Sequence, residues 1–317
     1  MDRSPPKLIL GAGYLGGRLA RLWATRGETV LAVTRSTAKA TALQTAGVHP
    51  VVLDMAAAEA PARLAAHGPF SAVVWAAAPD PPTSPDRRRT TNIPDGRRRT
   101  EAAATGSPTD RESFFESVLR RVREVLAERT EHWIHISSTS VYGQQAGEWV
   151  DEATPAEPKS EAGRWQLAAE QLVRRSAGGG RLAVLRLSGL YGPGRLLRRI
   201  DSLRRGEPIA GDPDAWLNLI HVDDAVAAID AVVSADFTDT LLVSDDEPVP
   251  RRHYYTRLAE LAGAPPPVFD SSRAPERVQG LGKRCRNRRL RTELGVPLRY
   301  PTFREGLRHA LAEEPPR

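Results

Sequence analysis

The sequence predicts an α/β protein built on a parallel, doubly wound sheet, with a small lobe supplied by the C-terminal part of the chain. Three observations carry this. An apolar run at residues 8–10 ends in a glycine cluster and leads into a helical pattern. Strand-like runs then recur at residues 29–33, 48–54, 71–78, 132–138 and 182–187, separated mostly by segments of helical length. Such alternation makes a parallel sheet, because each crossover returns the chain to the same edge. Finally, 317 residues, 40% of them hydrophobic and 26% charged, can bury a sizeable core.

The first element is the most informative. Residues 7–21 read KLILGAGYLGGRLAR, in which Gly11, Gly13 and Gly16 form G-x-G-x-x-G and Leu15, Leu19 and Leu22 follow at helical spacing. Gly11 permits the tight turn, Gly13 lets the backbone approach a pyrophosphate, and Gly16 lets the helix pack on the strand. The helix N-terminus offers N–H groups and a positive dipole end to the anion. The candidate cofactor loop is therefore Gly11, Gly13, Tyr14, Leu15 and Gly16 of a Rossmann-type fold. The alternative is a plain strand-to-helix turn that needs glycine only for its shape.

The second strand ends in Thr34, Arg35 and Ser36. A site for NAD usually carries a carboxylate here for the ribose hydroxyl, whereas an NADP site accepts a phosphate. Thr34 and Arg35 suit the phosphate, so NADP is expected over NAD; a solvated surface arginine is the other reading of Arg35. Asp54 closes the third strand, where an adenine amino group would lie. Ala76 and Ala77, in the fourth, are small enough to let the backbone approach the cofactor.

Residues 79–110 break the pattern. They are rich in Pro, Thr and Arg and contain two arginine triplets, Arg87 to Arg89 and Arg97 to Arg99. With no hydrophobic period they read as an exposed, flexible insertion, either a flap over the site or a solvated charge run. A helix is expected over 112–129, with Phe115, Val118, Val122 and Val125 as its buried stripe. After the fifth strand and the sequence SSTSVYG at 137–143, a helix is expected over about 160–176. A glycine turn at 178–180 and the sixth strand follow. We divide the chain into a dinucleotide-binding domain, 1–188, and a mainly substrate-binding lobe, 189–317, with 215–245 returning to the first.

Composition limits the partners. The net charge is +6, yet no DNA- or RNA-reading module is recognisable, and a basic protein acting on a phosphate-bearing ligand accounts for the charge as well. A single cysteine, Cys285, excludes an internal disulfide. No apolar run has membrane-spanning length and no leader pattern opens the chain, so a cytoplasmic protein without membrane contact is expected. No His, Cys, Asp or Glu spacing signals a metal site.

By its motifs the chain resembles an extended short-chain dehydrogenase/reductase of the NAD(P)-dependent epimerase/dehydratase type. The motifs are GAGYLG at 11–16, SSTSVYG at 137–143, LRLSGLYGPGR at 185–195, NLIHVDDAV at 218–226 and the tail stretches at 244–263 and 282–307. The resemblance implies a Ser/Thr, a Tyr and a Lys as the active site, the lysine lowering the tyrosine pKa so that it exchanges a proton with substrate. Ser138 stands at the serine position. The tyrosine and lysine positions hold Ala162 and Gln166, no tyrosine occurs between Gly143 and Leu190, and the only lysine there is Lys159.

Three readings follow. The first is an atypical reductase or epimerase using Ser138 with another acid, Tyr142 or Tyr191, and with Arg164 as a neighbouring cation. It would act on a small polar substrate, with a phosphorylated compound or a sugar nucleotide as the candidates. The second is a cofactor-binding sensor or scaffold without hydride chemistry, and the third a nucleic-acid binder. The enzyme reading is preferred because the substrate lobe is kept at full size. Packing at the end of its strand is the plain alternative for Tyr142, and a similar structural role is the alternative for Tyr191.

In the lobe, Tyr191 and Arg195 of LYGPGR border the expected cleft, and the resemblance implies that Arg195 meets a substrate phosphate; a turn arginine is the alternative. Asp223 and Asp224 read as dipole-capping residues and His221 as structural rather than acid–base. Lys283, Arg284, Arg286, Arg288, Arg289 and Arg291 either line the cleft for an anionic substrate or form a solvated face. The resemblance also implies a homodimer.

Overall fold

The computed structural model describes residues 4–77, 108–176, 180–273 and 281–313. Most of the expected insertion at 79–110, the end of the fourth strand at residue 78 and part of the glycine turn at 178–180 lie outside the described residues.

In β1 (Lys7–Leu10), Leu8, Ile9 and Leu10 are all fully buried, as expected of a strand covered on both faces. Ile9 packs with α1 (Gly16–Thr25), while Leu8 and Leu10 face the opposite layer. The same alternation runs through β2 (Val30–Thr34), where Val30 and Ala32 face one layer and Leu31 and Val33 the other. The chain continues through α2 (Thr37–Thr45), β3 (His49–Val52), α3 (Ala60–Ala65), β4 (Phe70–Trp75), α4 (Pro108–Leu126) and β5 (Thr130–Ser138). After β6 (Trp149–Val150) come α5 (Glu161–Arg175), β7 (Arg181–Leu187), β8 (Gly189–Tyr191) and α6 (Leu197–Arg204).

The helix expected over 112–129 begins earlier, at Pro108, and its buried face differs from the expected stripe. Val118, Leu119, Val122 and Leu126 are fully buried, but Val125 is 43% exposed. Positions 119 and 126, each four residues after a buried neighbour, take the face that Val125 was expected to share.

The remaining elements are β9 (Ile209–Ala210), β10 (Trp216–Leu217), β11 (Leu219–His221), α7 (Val222–Ser234), β12 (Asp239–Val243), β13 (Val249–Pro250), α8 (Arg251–Ala262), β14 (Phe269–Asp270), β15 (Arg284–Cys285) and α9 (Phe303–Ala312). Seven strands form the central sheet in the order β3-β2-β1-β4-β5-β7-β12, and every pairing is parallel. This is the Rossmann-like α/β fold. The strand order reverses at β1, which pairs with β2 on one side and β4 on the other. A crevice opens at the carboxyl ends of strands flanking such a reversal.

Residues of α1 and α7 build the core on one face of the sheet and those of α3, α4 and α5 the core on the other. A third cluster, including Tyr191, Ile200, Tyr254, Leu258, Phe303 and Leu307, unites β8, α6, α8 and α9 as a lobe beside the sheet. Among the described residues, no helix is long and apolar enough to cross a membrane.

Candidate functional site

The glycine loop sits at the reversal between β1 and β4. Gly11 has φ +108, and a Cβ there would press on Ala77 at 2.8 Å. A Cβ on Gly16 would collide with the Gly11 carbonyl and with Ile9. These two glycines are therefore required by the protein's own packing. Gly13 is not: a Cβ on it would meet nothing within 4 Å, and it is absent from the left-handed positions. Of the three, only Gly13 faces open space.

That space is a cavity of about 390 Å³, lined among others by Gly11, Gly13, Thr34, Arg35, Asp54, Ala76 and Ala77. Seven of the residues expected at the cofactor thus meet around one crevice, although they come from the ends of four strands. Ser36 and Lys39 also line it. The Thr34 hydroxyl accepts from Ser36 N–H (3.2 Å), and Ser36 Oγ caps α2 by accepting from Lys39 N–H (3.3 Å). Lys39 was missed by the sequence reading; the N-cap Ser36 three residues before it was the available signal. Asp54 Oδ1 accepts from Ala56 N–H (3.0 Å), which fixes its carboxylate at the rim of this cavity.

Tyr14, Leu15 and Gly16, the rest of the loop, do not line the cavity. Leu15 is buried in the core with α1. The Tyr14 ring carries the Arg18 guanidinium at 4.2 Å and the Arg195 guanidinium at 4.3 Å, close enough for cation–π attraction. Arg195 therefore stands beside the glycine loop, held there by the turn at Gly192, where a Cβ would strike the Tyr14 hydroxyl.

Ser138 ends β5, and its Oγ accepts from Ser140 N–H (3.1 Å). Gly163 of α5 packs so closely on the Ser140 carbonyl that a Cβ would not fit. Ala162 and Gln166, half-buried in the first turns of α5, flank that contact.

The two tyrosines expected as acids are placed otherwise. The Tyr142 hydroxyl donates to the Asp151 carbonyl (2.7 Å) and accepts from Arg186 Nη1 (3.0 Å), and burial pushes its pKa up to about 12. Arg186 in turn forms a bidentate pair with Glu170 (3.0 and 2.7 Å), which also accepts from Ser137 Oγ. Tyr142 belongs to this buried network and is poorly suited to exchange a proton with substrate. Tyr191 lies in the lobe core, its ring edge-on to His221 and its hydroxyl against Gly306, with burial pushing its pKa up. It faces the lobe core rather than a substrate.

His221 is fully buried and caps α7, its Nδ1 accepting from Asp223 N–H (3.2 Å). Nε2 then carries the proton and faces His309 Nδ1 at 3.3 Å. Burial, reinforced by His309, Arg18 and Arg299, pushes the His221 pKa down to about 3. His221 thus supplies the N-cap hydrogen bond, while Asp223 and Asp224 stand in the first turn of α7, as the dipole reading expected. Asp224 also accepts from the backbone N–H groups of Arg299 and Tyr300 (2.7 and 3.0 Å), tying the C-terminal segment to α7. His221, Asp223 and His309 each bring a ligand-capable atom within 4.8 Å of the others, a grouping that sequence spacing did not signal because His309 is 88 residues away.

Comparison with known proteins agrees with this architecture. The pattern of the NAD dependent epimerase/dehydratase family matches residues 8–240. Protein YeeZ of Escherichia coli strain K12 is 32% identical over 200 residues, which span 63% of this chain and 69% of that protein. The 3-diazoavenalumate denitrifying reductase of a Streptomyces species is 34% identical over 137 residues, 39% of this chain and 45% of the relative. The structure of MoeE5 in complex with UDP-glucose and NAD shares the fold with a TM-score of 0.73, covering 97% of this chain and 98% of that one at 24% identity.

Proposed function

The chain belongs to the NAD-dependent epimerase/dehydratase family, and from that premise we propose that it is an NADP(H)-binding oxidoreductase or epimerase-like enzyme acting on a small polar, carbonyl- or hydroxyl-bearing substrate. The observation that carries this reading is Gly13. Packing explains Gly11 and Gly16, but a side chain at Gly13 would enter only the space at the sheet reversal, so its absence serves a ligand. Gly11, Gly13 and the α1 N-terminus would hold the pyrophosphate, Asp54 the adenine, and Ala76 and Ala77 the close-packed side of the cofactor. Arg35 and Ser36 after β2, with Lys39 in the first turn of α2, would take a ribose 2′-phosphate, which favours NADP over NAD.

A bound nicotinamide supplies hydride transfer. Ser138, at the carboxyl end of β5, would orient the substrate oxygen by donating its hydroxyl proton while its Oγ stays fixed by Ser140. In a substrate screen read by NADPH oxidation, Ser138→Ala is expected to lower turnover about 100-fold and to leave NADPH affinity unchanged. A variant as active as the wild type contradicts the role.

One observation favours a second reading. Ala162 and Gln166 hold the positions of the usual tyrosine and lysine, and Tyr142 is engaged in its own network. A cofactor-binding sensor or scaffold needs none of these groups. Tight NADPH binding with no turnover across the screen would select that reading.

A further inference from the structure

The basic run near the C-terminus separates into two sets. Arg284 and Arg286 face outward onto the exposed Trp149 ring, at 4.8 and 5.4 Å. Arg289 pairs with Asp239 and Glu293, and Arg291 with Asp246. Lys283 does neither. It is 1% exposed, and among the described residues its side chain forms no ion pair.

Strand alternation explains the division. Along β15 and its flanks, residues 284 and 286 turn outward and residues 283 and 285 inward. The inward face meets the end of β5: Cys285 lies beside the Thr139 side chain and packs with Val141 and Tyr142, and Thr139 directly follows Ser138. The backbone is fixed as well. The Lys283 carbonyl accepts from Asn218 Nδ2 (2.9 Å), Cys285 N–H donates to Asn218 Oδ1 (2.7 Å), and Gly282, at φ +95, presses on Gln145.

A buried ammonium without a counter-charge is costly, and a Met or Leu would fill the same volume without that cost. Cys285 supplies no counter-charge, since burial pushes its thiol up to about 12. Burial likewise pushes Lys283 below the ordinary lysine range, as expected of an amine that has no anion beside it. Nothing in the packing of the described residues calls for the charge.

We propose that Lys283 is the anion-recognising residue of the substrate site, its buried ammonium taking a carboxylate or phosphate oxygen of the substrate near Ser138. This rests on the reading of Ser138 as the substrate end of the site, and it narrows the substrate class to small polar anions.

The test compares thermal unfolding of the wild type with Lys283→Met and Lys283→Gln, in inorganic phosphate or in acetate at constant ionic strength. Without anion, Lys283→Met is expected to melt above the wild type. With anion, the wild-type Tm should rise saturably beyond any shift that the variants share through the dinucleotide crevice. A response to phosphate alone identifies a phosphoryl group, and a response to acetate as well identifies a carboxylate. Equal anion responses in wild type and both variants overturn the proposal. NADPH titration of the same proteins separates the two levels: equal affinity throughout is expected, and a wild type that binds no NADPH refutes the dinucleotide reading while the anion comparison still decides the role of Lys283.

Discussion

The crevice between β1 and β4 and the end of β5 lie on the same edge of the sheet but are built differently. The crevice is made of backbone: two glycines fixed by packing, a third left open to space, and small residues at Ala76 and Ala77. The end of β5 is made of side chains drawn from distant segments. Tyr142 meets Arg186 there, 44 residues away, and Arg186 meets Glu170 and through it Ser137. A site built on backbone geometry announces itself in one short motif. One built on side-chain convergence does not, and the same strand end can keep its packing while its chemistry changes.

The largest effect that sharpens this contrast is expected at Arg186. Replacing it with Met leaves the Glu170 carboxylate buried and unpaired, and is expected to cost about 3–5 kcal/mol in urea unfolding. NADPH affinity of the folded protein should not change. If it falls strongly, the network and the crevice are coupled and the contrast breaks.

His135 tests the same region by pH. It is fully buried in β5, and burial pushes its pKa down to about 4. The unfolded chain, with an ordinary histidine near 6.5, then binds the proton more readily. Stability from this group is whole above about pH 6.5 and is lost as pH falls toward 4, by about 1.4 kcal/mol per pH unit and about 3 kcal/mol in all. Unfolding midpoints of the wild type and His135→Gln, compared over that range, should converge as the pH falls. Parallel pH dependence would refute the assignment.

At the crevice, Gly13→Val should leave stability within about 1 kcal/mol, because an added Cβ meets nothing within 4 Å. Dinucleotide affinity should fall about 100-fold, or about 2.7 kcal/mol. Gly16→Val should do the reverse and destabilise the fold outright. A smaller effect is expected at the cofactor's edge: Arg35→Asp should weaken NADPH about 10-fold and NADH little, by calorimetry. Equal weakening of both would remove the 2′-phosphate assignment.

The fold was legible because each strand of the sheet is a short apolar run and the strand–helix alternation admits few topologies. The exposed Val125 shows the limit: spacings of three and four around a helix fit more than one face, and only the neighbours choose. The cofactor loop was legible for the reason already given. Lys39 was not named, and Lys283 was named only as one of six basic residues, because a lysine looks the same in sequence whether it lines a crevice, is buried or is solvated. What distinguishes Lys283 is the seating of residues 282–285 against segments around residues 139, 145 and 218. Tyr142 and Tyr191 stood as candidate acids with packing as the alternative, because position at a strand end does not reveal that a hydroxyl is already bonded or buried.

The most direct test of the account is calorimetric titration of the protein with NADPH and with NADH at controlled salt. The account predicts saturable NADPH binding with one site per chain, tighter than NADH. Binding of neither dinucleotide would contradict it, since the open space at Gly13 would then have no dinucleotide to receive.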